Sequence, residues 1–184
     1  MKQENTVKYI LRLTFTLLLI CAVVAGILAA VNSITAPIIA ASKEAKTQAA
    51  ISAVLPGGGE KIDFAGADET GMVLEVYASA SGYAVKVAPS GFGGAITMMV
   101  GVNNEGEVLG ISVISHAETP GLGAVASQNT DKGVAFRDQF VGLTAGITIG
   151  DGENQVDSLS GATISTQAIV DGVNAALACA ANLG

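Results

Sequence analysis

A long apolar segment near the N-terminus places the strongest constraint on this chain. Residues 13–31 read LTFTLLLICAVVAGILAAV, which is 19 residues without a charge. As an α-helix rising about 1.5 Å per residue, this segment spans roughly the 30 Å hydrocarbon core of a bilayer. A buried core helix at a chain terminus would have little protein around it, and the apolar region of a signal peptide usually covers about 7–15 residues. We therefore predict a transmembrane anchor at residues 13–32, with a cleaved signal peptide as the alternative.

The distribution of charge gives this anchor a direction. The first twelve residues carry a net charge of +2, whereas residues 13–42 carry no charge and the rest of the chain has six basic and fifteen acidic residues. The positive-inside rule then predicts a cytoplasmic N-terminus at residues 1–12 and a domain on the outer face of the membrane at residues 33–184. The acidity of that domain argues against nucleic acid as a partner.

The part after the anchor has the pattern of a small α+β domain. We expect a short amphipathic helix at residues 42–55, capped by Ser42. Strand-like runs follow, separated by glycine- and asparagine-containing turns, at residues 72–78, 83–88, 96–102 and 108–114. Such short turns favour antiparallel pairing. Further elements are expected at residues 132–140 (a helix), 147–149 (a strand) and from Thr163 onward (an amphipathic helix). The prediction is an antiparallel sheet flanked by helices.

Few residues in this chain are suited to metal or disulfide chemistry. His116 is the single histidine, and the two cysteines, Cys21 and Cys179, lie in the anchor and near the C-terminus. We therefore expect no disulfide framework, and no haem, iron–sulfur or zinc site.

The segment Asp157–Thr163, which reads DSLSGAT, has the composition of a helix start. The first turn of a helix offers free N–H groups and a partial positive charge, so a phosphate is favoured there. The alternative is N-capping of the helix by Thr163 or Ser165, worth roughly 0.5–2 kcal/mol. The residues alone leave both interpretations open.

This heptapeptide resembles the flavinylation motif Asp-x-x-Ser/Thr-Gly-Ala-Thr. The motif occurs in the FMN-binding domains of Rnf complexes and Na⁺-translocating quinone reductases. All of its defined positions match here, at Asp157, Ser160, Gly161, Ala162 and Thr163. The resemblance implies that a flavin transferase, with FAD as donor, attaches FMN to the last threonine through a phosphoester. It also makes Asp157 a candidate recognition residue for the transferase, and Ser160, Gly161 and Ala162 neighbours of the cofactor.

A second segment resembles the same family. Residues 116–123 read HAETPGLG and follow a predicted strand, as in the family pattern His-x-Glu-Thr-Pro-Gly-Leu-Gly. Proline stiffens such a loop, and glycines allow a close approach to a flat ring. The flavin contacts expected here are His116, Glu118, Thr119, Gly121, Leu122 and Gly123. For His116 a loop-capping role, and for Glu118 a role in loop architecture, are the alternatives. The neighbouring residues 91–94 (GFGG) are also family-like, and we expect them to be structural.

The similarity covers the whole chain and is greatest to the G subunits of Rnf complexes. It implies an electron-carrying subunit of an ion-translocating ferredoxin:NAD⁺ oxidoreductase in a bacterial or archaeal cell membrane, without catalytic residues of its own. The implied partners are the other Rnf subunits, the flavin transferase during maturation, and the bilayer around residues 13–32. Two rival functions remain: a membrane-anchored flavin reductase outside such a complex, and a non-redox interaction domain.

Overall fold

The computed structural model describes residues 2–64 and 66–183, and for residues 2–6 the backbone only. Residues 1, 65 and 184 lie outside the described residues. The first belongs to the predicted N-terminal segment (1–12), and the other two belong to the predicted outer domain (33–184). Contacts divide the chain into two compact units, residues 1–45 and 46–184.

The first unit is helical. Helix α1 comprises Lys2–Val54 and belongs to this unit as far as Ala45. From Val7 to Ala45 its side chains are exposed. Val7–Val54 is long and apolar enough to cross a membrane, and none of its most apolar window is buried. The predicted anchor lies within this stretch, and its boundaries stay a prediction.

The short helix expected at residues 42–55 is not a separate element, which corrects the prediction. It is the C-terminal part of α1, so Ser42 lies inside a helix and not at an N-cap. The physical reason is that residues 32–45 contain no glycine, and their one helix breaker, Pro37, is tolerated within α1. A proline costs the helix one backbone hydrogen bond, but it need not end the helix.

The second unit is built on an antiparallel sheet, as predicted. Its strands are β1 (Glu60–Ile62), β2 (Val73–Ser79), β3 (Gly82–Val87), β4 (Thr97–Asn103) and β5 (Val108–Ser115). The strands pair in sequence order. Val85 on the central strand β3 lies opposite Val76 on one side and Val100 on the other. The four predicted strands match β2–β5 to within one residue at each end, and β1 was not predicted.

Both faces of this sheet are covered, because side chains alternate along each strand. On β4, Met98 and Val100 belong to the cluster under the C-terminal helix, whereas Met99 belongs to the cluster under the last turns of α1. Close approach is needed on the second face: a Cβ added at Gly101 would collide with the carbonyl oxygen of Val54. Glycine at position 101 therefore lets the end of α1 lie against the strand.

The remaining elements follow β5. They are a 3-10 helix (Gly123–Ser127), α2 (Asp131–Asp138), β6 (Thr148–Ile149), β7 (Gln155–Val156) and α3 (Thr163–Leu183). Helix α2, strand β6 and helix α3 confirm the predictions, whereas the 3-10 helix and β7, which pairs with β6 in parallel, were not predicted. Helix α3 is also long and apolar enough to cross a membrane, but 67% of its most apolar window is buried. It is a core helix of this unit, and the observed class is the predicted α+β.

An ion-pair cluster lies on the sheet face that the end of α1 covers. The Glu75 carboxylate accepts hydrogen bonds from Lys61 at 2.7 Å and from Lys86 at 2.8 Å. Partial burial alone would raise the pKa of Glu75, but the hydrogen bonds from the two lysines and their charges outweigh it and lower this pKa to about 2. The carboxylate therefore stabilises the fold in its ionised form.

Candidate functional site

The turn before α3 presents Thr163 to solvent. Gly161 has a positive φ of 74°, which glycine adopts without strain. The Thr166 hydroxyl, which is fully buried, accepts a hydrogen bond from the Leu159 N–H and donates one to the Ala162 carbonyl, both at 3.1 Å. This turn is thus held from inside, and Thr163 follows it as the first residue of α3.

Neither of the expected capping residues caps this helix. Thr163 is exposed, and within residues 2–64 and 66–183 its hydroxyl has no hydrogen-bond partner. Ser165 is buried and donates its hydroxyl hydrogen bond to Glu118. The N-capping interpretation therefore has no support in the geometry, and Thr163 is accessible to solvent.

The loop between β5 and the 3-10 helix is closed by His116. Its Nδ1 accepts a hydrogen bond from the Glu118 N–H at 3.1 Å. Nε2 is 2.8 Å from the Ser127 hydroxyl, which itself donates to the Ala124 carbonyl at 2.9 Å. His116 thus connects the start of the loop to the end of the 3-10 helix, which agrees with the loop-capping alternative.

Glu118 is a buried acidic residue inside this loop, with 6% of its surface exposed. Oε1 accepts a hydrogen bond from the Gly93 N–H at 2.9 Å, and Oε2 accepts one from the Ser165 hydroxyl. Both carboxyl oxygens therefore have protein donors. This geometry agrees with the architectural role considered for Glu118 from the sequence.

These segments enclose a pocket of about 390 Å³ beside Thr163. Its lining residues are Phe92, Glu118, Thr119, Leu122, Gly123, Gly161, Ala162, Thr163, Ile164 and Ser165. The lining surface is mostly apolar, and Phe92, Leu122 and Ile164 are exposed at its rim. No lysine or arginine is among these described lining residues. A flat, largely apolar ring fits such a pocket better than a highly charged ligand does.

The structure brings seven of the predicted site residues together in this pocket: Glu118, Thr119, Leu122, Gly123, Gly161, Ala162 and Thr163. The predicted residues Ser160, Gly121, His116 and Asp157 lie outside the lining. Their contacts with a cofactor or transferase stay predictions.

Three lining residues were not predicted as site residues. Phe92 is on the turn at residues 91–94, which the sequence suggested was structural only, and its side chain is 70% exposed. Ile164 and Ser165 follow Thr163 directly. A signal existed for Ser165, because it lies within the first turn of the predicted helix, two residues after Thr163.

Asp157 lies on the surface beside Asp151. The pKa of Asp157 is raised, because its carboxyl group is hydrogen-bonded to that of Asp151 and the two negative charges repel each other. The Asp157 N–H donates to the Gln139 side chain at 2.7 Å, which fixes the backbone there. The Asp157 side chain is exposed and accessible to another protein.

Comparison with known proteins shows which family the sequence resembles. The sequence model of the FMN-binding domain matches residues 91–178, and that of the RnfG N-terminal region matches residues 1–54. The chain is 31% identical to the G subunit of the proton-translocating ferredoxin:NAD(+) oxidoreductase complex of Clostridium ljungdahlii, over 96% of this chain and 92% of the relative. It is 34% identical to the G subunit of the Na(+)-translocating ferredoxin:NAD(+) oxidoreductase complex of Acetobacterium woodii, over 96% and 94%. Identity to the G subunit of the ion-translocating oxidoreductase complex of Methanosarcina acetivorans is 30%, over 92% and 94%.

Proposed function

The chain belongs to the family of Rnf complex G subunits, and on that premise we propose that it is the electron-carrying, membrane-anchored subunit of an ion-translocating ferredoxin:NAD⁺ oxidoreductase. We propose further that its cofactor is FMN joined through a phosphoester to Thr163. The other Rnf subunits are then its partners, and its domain lies on the outer face of the membrane.

One observation carries the proposal for Thr163: its hydroxyl is exposed and unpaired at the edge of a mostly apolar pocket. The free N–H groups of the first turn of α3 can donate hydrogen bonds to the phosphate oxygens of a cofactor attached there. Gly161 keeps the adjacent backbone uncovered, since a Cβ at this position would reach within 3.1 Å of Leu122. These features fit an FMN whose phosphate end is at Thr163 and whose ring occupies the pocket.

The residues of the chain bind and orient the cofactor. Bound FMN supplies one- and two-electron redox chemistry. The rim side chains Phe92, Leu122 and Ile164 are placed to contact a flat ring and to exclude water from part of it. In maturation, Thr163 would supply the oxygen that replaces AMP on the flavin-side phosphorus of FAD, so that one P–O bond would form as another broke, AMP would leave and the hydroxyl proton would pass to solvent.

Covalent attachment is tested by co-expressing the chain with a flavin transferase, denaturing it, and viewing the gel under ultraviolet light. We expect a fluorescent band from the unmodified chain, no band from Thr163→Ala, and partial labelling of Thr163→Ser, which keeps a hydroxyl group. Ser158→Ala is the matched control, because Ser158 is an exposed hydroxyl residue of the same segment outside the pocket. Wild-type protein without fluorescence, beside an active transferase, would refute the covalent assignment.

A further inference from the structure

We propose that Glu118 is a positioning residue of the pocket, which fixes Phe92 and Leu122 relative to Thr163 through two hydrogen bonds. The inference rests on the proposed function only in taking a flavin as the group that the pocket holds. It is based on one buried carboxyl group, that of Glu118, which lies where three separate segments of the chain meet.

Those three segments are the turn at residues 91–94, the loop that contains Glu118 itself, and the first turn of α3. Glu118 Oε1 accepts from the Gly93 N–H at 2.9 Å, and Oε2 accepts from the Ser165 hydroxyl. The two donors are far apart in sequence, so Glu118 connects the turn at residues 91–94 and the first turn of α3 by hydrogen bonds.

Glycines surround this carboxyl group closely. A Cβ at Gly91 would collide with Oε1, and a Cβ at Gly123 would collide with the Ser165 hydroxyl and lie 2.7 Å from Oε2. Because each oxygen already has a protein donor and glycine backbone packs around both, the carboxyl group is placed to hold protein segments rather than to bind the flavin.

Phe92 depends on this contact for its position. Its side chain is 70% exposed, so packing restrains it little. Within the turn, the Gly91 N–H donates to the Gly94 carbonyl at 2.8 Å, which closes the turn but does not attach it to the pocket. The Gly93–Glu118 hydrogen bond attaches the turn to the loop, where Gly93 also packs closely on the Ala117 carbonyl. Removing the hydrogen bond should leave the turn closed and make its orientation over the pocket more variable.

Substitutions at Glu118 and Ser165 separate hydrogen bonding from charge. Glu118→Gln keeps an oxygen to accept from Gly93 and gains an N–H₂ group that can donate to the Ser165 oxygen, so both contacts persist without the negative charge. Glu118→Ala removes both contacts. Ser165→Ala removes only the contact with α3.

The test uses the full chain in detergent, with and without flavin loading by a transferase. Hydrogen–deuterium exchange of residues 90–96 in the flavin-free protein reports the attachment of the turn. Visible circular dichroism and fluorescence of the loaded protein report the surroundings of the flavin ring. We expect faster exchange, altered dichroism and brighter fluorescence in Glu118→Ala, and wild-type behaviour in Glu118→Gln. Ser165→Ala should alter the dichroism while exchange of residues 90–96 stays close to wild type.

Two results would overturn the proposal. The first is that Glu118→Ala matches wild type in exchange, dichroism and fluorescence. The second is that Glu118→Gln changes these measurements as much as Glu118→Ala does, because the loss of charge alone would then explain the effect. If thermal unfolding shows that Glu118→Ala does not fold, the other two variants decide. An altered Ser165→Ala beside a wild-type-like Glu118→Gln supports the positioning role, and any other combination overturns it. A wild-type chain without covalent flavin would refute the proposed function instead, while the flavin-free exchange measurement still tests Glu118.

Discussion

Replacing Thr166 with valine tests whether one buried hydroxyl holds the turn that presents Thr163. Thr166 is fully buried, and its Oγ1 accepts from the Leu159 N–H and donates to the Ala162 carbonyl. Valine has nearly the same shape, so the substitution removes both hydrogen bonds without opening a cavity. The change therefore isolates the contribution of the hydroxyl.

The expected magnitude follows from what each partner loses. The Ala162 carbonyl keeps the hydrogen bond from the Thr166 N–H at 2.9 Å, so it stays satisfied. The partly buried Leu159 N–H loses its acceptor, and an unsatisfied buried donor costs about 1–3 kcal/mol. We expect the free energy of unfolding to fall by about 2 kcal/mol. For a domain of this size, that corresponds to a Tm lower by about 4–8 °C.

Thermal unfolding of the full chain in detergent, followed by circular dichroism, measures this change. Thr166→Ser is the matched control: it keeps the hydroxyl and loses one methyl group, which costs about 0.8 kcal/mol. The valine variant should be the less stable of the two, and it should also accept flavin from the transferase more slowly. A valine variant as stable as wild type, or more stable than Thr166→Ser, would refute the reasoning.

Three further predictions concern the sheet and the transferase. Gly101→Ala should lower the free energy of unfolding by about 1–3 kcal/mol in urea titrations, because its Cβ would collide with the Val54 carbonyl. Gly110→Ala is the control and should be near neutral, because its Cβ would meet nothing within 4 Å. Equal effects of the two substitutions would refute this prediction. Glu75→Gln should lower the free energy of unfolding by about 1 kcal/mol at pH 7, a value that allows for screening of these partly exposed charges by solvent. Because the folded pKa of Glu75 is depressed, this cost should disappear as the pH falls from about 4.5 towards 2, and a cost that persists at pH 2 would contradict it. Asp157→Ala should reduce flavin loading severalfold in the ultraviolet gel assay at unchanged Tm, and normal loading would exclude its role in recognition.

The sheet could be predicted from sequence because its signals are local. The strands β2, β3 and β4 each end shortly before a turn that contains glycine, asparagine or serine, and β5 begins directly after such a turn. The short elements β1 and β7 carry too few residues for a period to be visible. The continuity of α1 was missed because Pro37 and Ser42 suggest a helix boundary locally. The helix nevertheless continues through both residues.

The walls of the pocket could be predicted only in part. The motif at residues 157–163 and the loop at residues 116–123 were found through their resemblance to a family, whereas Phe92 was not assigned to the site. The turn that carries it is bonded to the loop through Gly93 and Glu118, residues 25 positions apart. No local period or turn signal encodes such a contact, so a single sequence does not reveal it.

The electrostatics of the pocket connect its shape to the proposed covalent bond. Among the described lining residues, Glu118 is the only acidic or basic one, and its oxygens already accept hydrogen bonds from the protein. A free FMN would bring a phosphate with no lysine or arginine in that lining to pair with, so its charge would rely on the N–H groups at the start of α3. The effect of a helix terminus is about 0.3–1 kcal/mol at an exposed site, which is little for retaining a cofactor by itself. With a phosphoester at Thr163, retention of the cofactor would not depend on these weak interactions, because a covalent bond would hold the phosphate and the apolar rim would orient the ring.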